Sequence, residues 1–265
     1  MTIKIASKFN SLGCLIATGA LALIGAGSAS ATPITFAQFI ETNGFQDWTI
    51  AATTSGSTTT TTVAESGLTY FSFQGVSPQP FGGAPVLANF SLMATSSSLG
   101  NCASNCGPGD GFAQAGYSGT FSFTDGVAGA FFGTNLLSGT FSVTGSPATT
   151  GAQLISNLGS GNASFTASAT AGNLNQLVFS SAYEVFAPTT TEEVASFSLS
   201  SLIPNFAITT PVNNQAYPSG SYTAAGSGTF SSNPPPTVSP EPSTVFLIGG
   251  GMFGLFLMRR KGLLR

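Results

Sequence analysis

The sequence predicts an all-β protein, a β-sandwich or jelly roll of roughly ten strands, exported and followed by a single short C-terminal transmembrane helix. Three observations carry this. Apolar side chains recur with a period of two in short runs rich in Phe, the runs are separated by clusters of Gly, Pro, Asn and Ser, and no window of the body keeps a helical period over ten or more residues. The clearest strands are residues 68–73, 121–123, 141–143, 165–167 and 197–199, which set aromatic or aliphatic groups on one face and small hydroxyls on the other. Residues 86–94, 177–186, 206–212 and 221–230 are further candidates. Residues 36–42, after Pro33, have the spacing of one short helix. Residues 55–62, with five consecutive Thr from Thr58, are open to three readings: an edge strand, an exposed loop or an O-glycosylated patch. The tetrapeptide Gly-Thr-Phe-Ser at residues 119–122, 139–142 and 228–231 keeps no fixed period and reads as convergent strand composition rather than a repeat array.

Composition bounds the chemistry. Of 265 residues only 6% are charged, against roughly 25% in an ordinary domain, and there is no His. The six cations are Lys4, Lys8, Arg259, Arg260, Lys261 and Arg265, so residues 9–258 hold none. A Ser-His-Asp or Cys-His nucleophile, a Lys Schiff base, an Arg clamp on phosphate and a His-ligated zinc all need residues missing from that stretch. Nucleic-acid binding is excluded by the same absence, because it begins with Lys and Arg on phosphates. No cofactor and no enzymatic activity are expected. The one catalytic route open is carboxylate chemistry, such as glycoside hydrolysis by an acid pair in a cleft. All nine acids lie in residues 32–242, giving the mature body a net charge of −9. Asp110 and Asp125 suit turns better than Ca²⁺, since neither belongs to a run of alternate acids. The Phe residues are expected in the core. Trp48, Tyr117, Tyr183, Tyr217 and Tyr222 are the candidates for sugar contact, although packing is the commoner fate of such residues.

Two cysteines survive maturation, Cys102 and Cys106. With no further soft ligand in the body they cannot build a metal site. In an oxidising compartment they are expected to form a disulfide closing a five-residue loop, at about 2 kcal/mol of stabilisation.

Both ends read as addresses. Lys4 and Lys8, then an apolar stretch over residues 12–27, then Ser28-Ala29-Ser30-Ala31 make a secretory signal peptide of residues 1–31, with Ala29 and Ala31 as the small residues before the cut. The body follows over residues 32–232, and residues 233–239, with three consecutive Pro, read as an extended stalk of about 20 Å. Next come Pro240, Glu241 and Pro242, an uncharged run over residues 243–258, and the stop-transfer cluster Arg259, Arg260 and Lys261 in the basic end 259–265. As a helix the run is about 24 Å long, short of the roughly 30 Å hydrocarbon core, so it inserts marginally. The basic end belongs on the cytoplasmic side, leaving the body outside the inner membrane.

The order Pro-Glu-Pro, apolar helix, basic end over residues 240–265 resembles the PEP-CTERM sorting signal of exported proteins from Gram-negative bacteria that make extracellular polysaccharide. The resemblance covers the tail alone. It implies passage through signal peptidase and Sec-type export machinery, an inner-membrane intermediate, recognition by an exosortase-like membrane protease, cleavage near the motif, and delivery to the cell surface or extracellular matrix. The expected function is that of a non-enzymatic surface or polysaccharide-matrix (biofilm) protein, with extracellular polysaccharide as a partner. The alternative is a carbohydrate-binding module, secreted or anchored.

Overall fold

The computed structural model describes residues 33–42, 46–75, 80–126, 133–143, 152–170, 176–186 and 192–238. All belong to one compact unit that begins at Pro33. The signal peptide, the sorting tripeptide, the apolar run and the basic end lie outside the described residues.

Regular structure among the described residues is β, apart from a 3₁₀ turn at Pro80–Gly83. The strands are β1 Ile34–Glu41, β2 Trp48–Ser55, β3 Thr58–Phe73, β4 Val86–Ser96, β5 Gly100–Cys102, β6 Gly111–Asp125, β7 Asn135–Phe141 and β8 Ala152–Asn157. They continue with β9 Ala163–Thr170, β10 Leu177–Ser180, β11 Glu184–Val185, β12 Glu192–Ile203, β13 Gln215–Ala216, β14 Ser221–Asn233 and β15 Thr237–Val238. The sheet is sandwich-like, and its pairings return on themselves. From β1 they run to β3, β4, β6, β8, β9, β12 and β14, and β14 pairs with β1 again, every step antiparallel. Strands β1 and β2 lie end to end between β3 and β14: β1 takes residues 69–73 of β3 and β2 takes residues 58–64. Among the described residues, closure of this kind leaves only short strands at the free edges, which suits a protein that carries few charges to guard an edge.

The interior is filled with Phe. Phe39, Phe90, Phe121, Phe123, Phe197 and Phe230 are buried and share ring contacts, the closest being the stacked pair Phe90 and Phe123 at 4.3 Å between centroids. Rings of this size fit because glycine stands opposite several of them. A Cβ on Gly139 would lie 2.3 Å from Cε1 of Phe121, one on Gly228 would lie 2.5 Å from Cε1 of Phe39, and one on Gly226 would lie 2.2 Å from Nε1 of Trp48. Gly139 and Gly228 sit directly across from Phe121 and Phe39 in the ladder. The recurrent Gly-Thr-Phe-Ser follows: Gly139 and Gly228 yield space to a neighbouring strand's ring, Gly119 to the backbone of β4 at Met93 and Ala94, Phe points inward, and Thr and Ser face out.

Four sequence expectations need correction. Residues 36–42 are not helical, because β1 carries a bulge between Thr35 and Ala37 that turns both Phe36 and Ala37 inward. The phase slip spaces Phe36, Phe39 and Ile40 as a helix would. Residues 206–212 form no continuous strand: Ile208 and Val212 make isolated antiparallel bridges to Pro218 and Gln215, and the Tyr222 hydroxyl, which donates to the Ala207 carbonyl at 2.6 Å and accepts its N–H at 3.2 Å, ties down the start of the segment. The expected strand over 177–186 breaks after Ser180, where the Ser181 hydroxyl accepts from the N–H groups of Tyr183 and Glu184. The stalk is not free of the body, for Pro236 is buried and Thr237–Val238 pair with Glu184–Val185. The Thr run is the first part of β3, paired to β2 and β4. Its buried Thr61 accepts a hydrogen bond from Gln114 Nε2 at 3.0 Å.

Gly139→Ala and Gly228→Ala should each cost about 2 kcal/mol in denaturant unfolding, the usual scale for overpacking a filled core. Gly220→Ala, with no atom within 4 Å of the new methyl, should be near neutral. Equal midpoints for all three variants would remove the steric account of these glycines.

Candidate functional site

The sequence-predicted site residues separate sharply. Ala29, Ala31, Pro240, Glu241, Pro242, Arg259, Arg260 and Lys261 lie outside the described residues. Cys102 and Cys106 form the expected disulfide, with Cα atoms 5.2 Å apart. The loop it closes wraps a carboxylate: Asp110 Oδ2 accepts the backbone N–H of Ser104, Asn105 and Cys106 at 3.1, 3.0 and 2.8 Å. Desolvation opposes the charge on Asp110, but these donors outweigh it and hold its pKa below the ordinary value. Its role is that of a turn.

None of the five proposed sugar-contact aromatics lies open on the surface. Trp48, Tyr117 and Tyr222 are buried, and Tyr183 and Tyr217 are half-buried. Trp48 fills the notch left by Gly226, and the Tyr117 hydroxyl donates to Gln114 Oε1 at 2.7 Å. Among the described residues the exposed aromatic is instead Tyr70, at 47%. It falls on the serine side of the alternation over residues 68–73, which is the signal that sequence reasoning passed over.

Tyr70 stands at one end of a shallow trough on the outer face of four adjacent strands, β12, β14, β1 and β3. The trough has a volume of about 350 Å³ and is lined by Tyr70, Ile40 and Gln38 with Ser196, Ser198, Ser227 and Thr229 among others, none of them charged. The strands position it. Phe197, Gly228, Phe39 and Phe71 occupy the inner face at the intervening positions, so their neighbours in sequence must point outward.

A second cluster gathers three of the acids where β1 hands over to β2. Asp47 Oδ2 and Glu65 Oε1 lie 2.8 and 2.9 Å from the point where a Gly67 Cβ would stand, so the two face each other across the glycine. Glu41 Oε1 accepts the Gly226 N–H at 2.6 Å, satisfying a backbone donor of β14 that neither β1 nor β2 reaches. Burial pushes Glu65 up to about 8, reinforced by the charges of Glu41 and Asp47, and pushes Glu41 to about 7 against the pull of the Gly226 donor. Glu184 and Glu193, elsewhere in the body, are raised to about 7 by burial. A glycoside-hydrolysing pair needs both carboxylates open to a sugar. Glu65 is 3% exposed, closed to one.

What the body leaves unassigned the tail supplies. Residues 240–261 match the family model described as the PEP-CTERM protein-sorting motif. The chain carries a PEP-CTERM sorting motif. PEP-CTERM motifs imply an exported protein processed by an exosortase, with export through the Sec route. Within the body, strand β15 ends at Val238, two residues before the PEP-CTERM motif begins. No curated protein and no solved structure matches the chain.

The buried carboxylates give a pH dependence whose sign follows from their raised values. Each binds a proton more readily in the folded than in the unfolded chain, so the stability they contribute is full below about 4.5 and is lost as pH rises through 7 to 8. Thermal midpoints should be higher at pH 5 than at pH 8. Glu65→Gln should match wild type at pH 4.5 and exceed it by about 4 kcal/mol at pH 8. A midpoint that rises with pH over this range, or a Glu65→Gln variant without benefit at pH 8, would contradict the assignment.

Proposed function

We propose that the protein is a non-enzymatic component of the cell surface or extracellular polysaccharide matrix, delivered through its PEP-CTERM signal and released from the inner membrane by exosortase-type cleavage. The match over residues 240–261 is the observation that carries the reading. The body supports it through what it is made of: a Phe-filled ring of strands with an uncharged Ser- and Thr-rich face, drawn from a chain with no cation between residues 9 and 258. A carbohydrate-binding module delivered by the same signal is the second reading, and the uncharged trough beside Tyr70 favours it.

The sequence Pro240-Glu241-Pro242 disfavours helix at Glu241 and favours the extended form that a protease cleft grips. The apolar run is shorter than the hydrocarbon core, which suits a transient anchor better than a permanent one. C-terminal peptide mapping of surface material should therefore find a protein lacking Arg259 to Arg265 and most of the apolar run. Glu241→Ala should remain full-length in the inner membrane. Surface protein that still ends at Arg265, or a variant processed like wild type, would replace this reading with a plain tail anchor.

A further inference from the structure

We propose that the trough across β12, β14, β1 and β3 binds an uncharged polysaccharide chain, lying across the strands with one sugar ring against Tyr70. The proposal rests on the reading of the protein as a surface or matrix component and names a ligand for it.

The register sets the shape of the site. Ser198, Ser227, Ile40 and Tyr70 stand opposite one another in one row across the four strands, and Ser196, Thr229, Gln38 and Ser72 in the next. At about 4.8 Å per strand each row spans about 14 Å, an extended footprint suited to a linear chain. The short serines at positions 196, 198 and 227 form the floor, and the longer Ile40 and Tyr70 form a raised apolar end. These last two are directly opposed and are 61% and 47% exposed.

The chemistry selects the ligand. Gln38, Ser196, Ser198, Ser227 and Thr229 make no side-chain hydrogen bond among the described residues. Thr35 and Ser231, farther along β1 and β14, do bond each other, at 3.2 Å. The trough thus offers hydroxyls that both donate and accept, and an amide that does the same, matched to a ligand made of hydroxyls. An aromatic face beside them provides the apolar surface on which the C–H side of a sugar ring rests. Charge narrows the choice to neutral chains. No lining residue is charged, no cation exists within residues 9–258 to pair with uronate, sulfate or phosphate, and the acids that remain ionised over residues 32–242 repel them. A protein partner or a second copy fits less well, since two apolar side chains among serines fall short of the apolar centre such an interface has.

The test uses the full chain in mild non-ionic detergent, run by affinity electrophoresis through gels containing dextran, laminarin or galactomannan, with alginate as the anionic comparison. At least one uncharged glycan should retard the protein and alginate should not. Tyr70→Ala should weaken retardation roughly tenfold. Ser227→Leu, which fills the floor, should abolish it, and Val212→Ala, exposed and outside the trough, should leave it unchanged, with all variants keeping the wild-type thermal midpoint. Retardation by none of the neutral glycans, wild-type binding by Tyr70→Ala at an unchanged midpoint, or a Tyr70→Ala effect that proves to be loss of a dimer in sedimentation would overturn the proposal. The sorting reading is judged separately by the C-terminal mapping, so a correctly processed protein that binds no glycan defeats this inference and leaves the other standing.

Discussion

The structure depends on a trade between glycine and phenylalanine across the ladder. A closed ring of strands has limited room inside, and flat rings fill it only where the facing strand gives up its side chain. Gly139 does this for Phe121, Gly228 for Phe39 and Gly226 for Trp48. The outer face follows from the same choice. With Phe197, Gly228, Phe39 and Phe71 committed inward, the residues between them must face solvent, and the sequence spends those positions on Ser, Thr, Gln, Ile and Tyr. The trough and the core are two sides of one alternation.

A second constraint comes from the missing cations. Carboxylates elsewhere find Lys or Arg partners; here they must find backbone donors or hold a proton. Asp110 takes the first course, gathering three N–H groups of the disulfide loop. Glu65 takes the second, buried beside two other acids with no donor to either oxygen among the described residues. Glu41 lies between them, with one donor from Gly226 and a pKa near neutrality. The fold thus keeps part of its acidity uncharged at neutral pH, which lowers the self-repulsion that an all-acidic body would suffer.

How much of this the sequence revealed depends on the range of the interaction involved. Strands such as β4, β6 and β14 were legible because alternation is local, and the disulfide because four residues separate its cysteines. The bulge in β1 was not, since one extra residue turns a period of two into the spacing of a helix turn. For Trp48 the commoner fate, packing, is the one observed, and the residue that accommodates it, Gly226, is far away in the chain. The β1–β2 handover that gathers Glu41, Asp47 and Glu65 is likewise a property of topology, invisible to spacing. The sorting motif was legible because it is one contiguous stretch, with no fold needed to assemble it.

The closure of the ring sets an order of events. Ile34 in the first strand pairs with Ser232 in the last long one. A chain that leaves the cytoplasm N-terminus first holds β1 outside with one flank unpaired until nearly everything else has been threaded through. Contacts between such distant parts of a chain form slowly and late. After β14 the chain continues through β15 to the sorting motif. A chain that stalls before closure would leave its Phe-rich lining exposed.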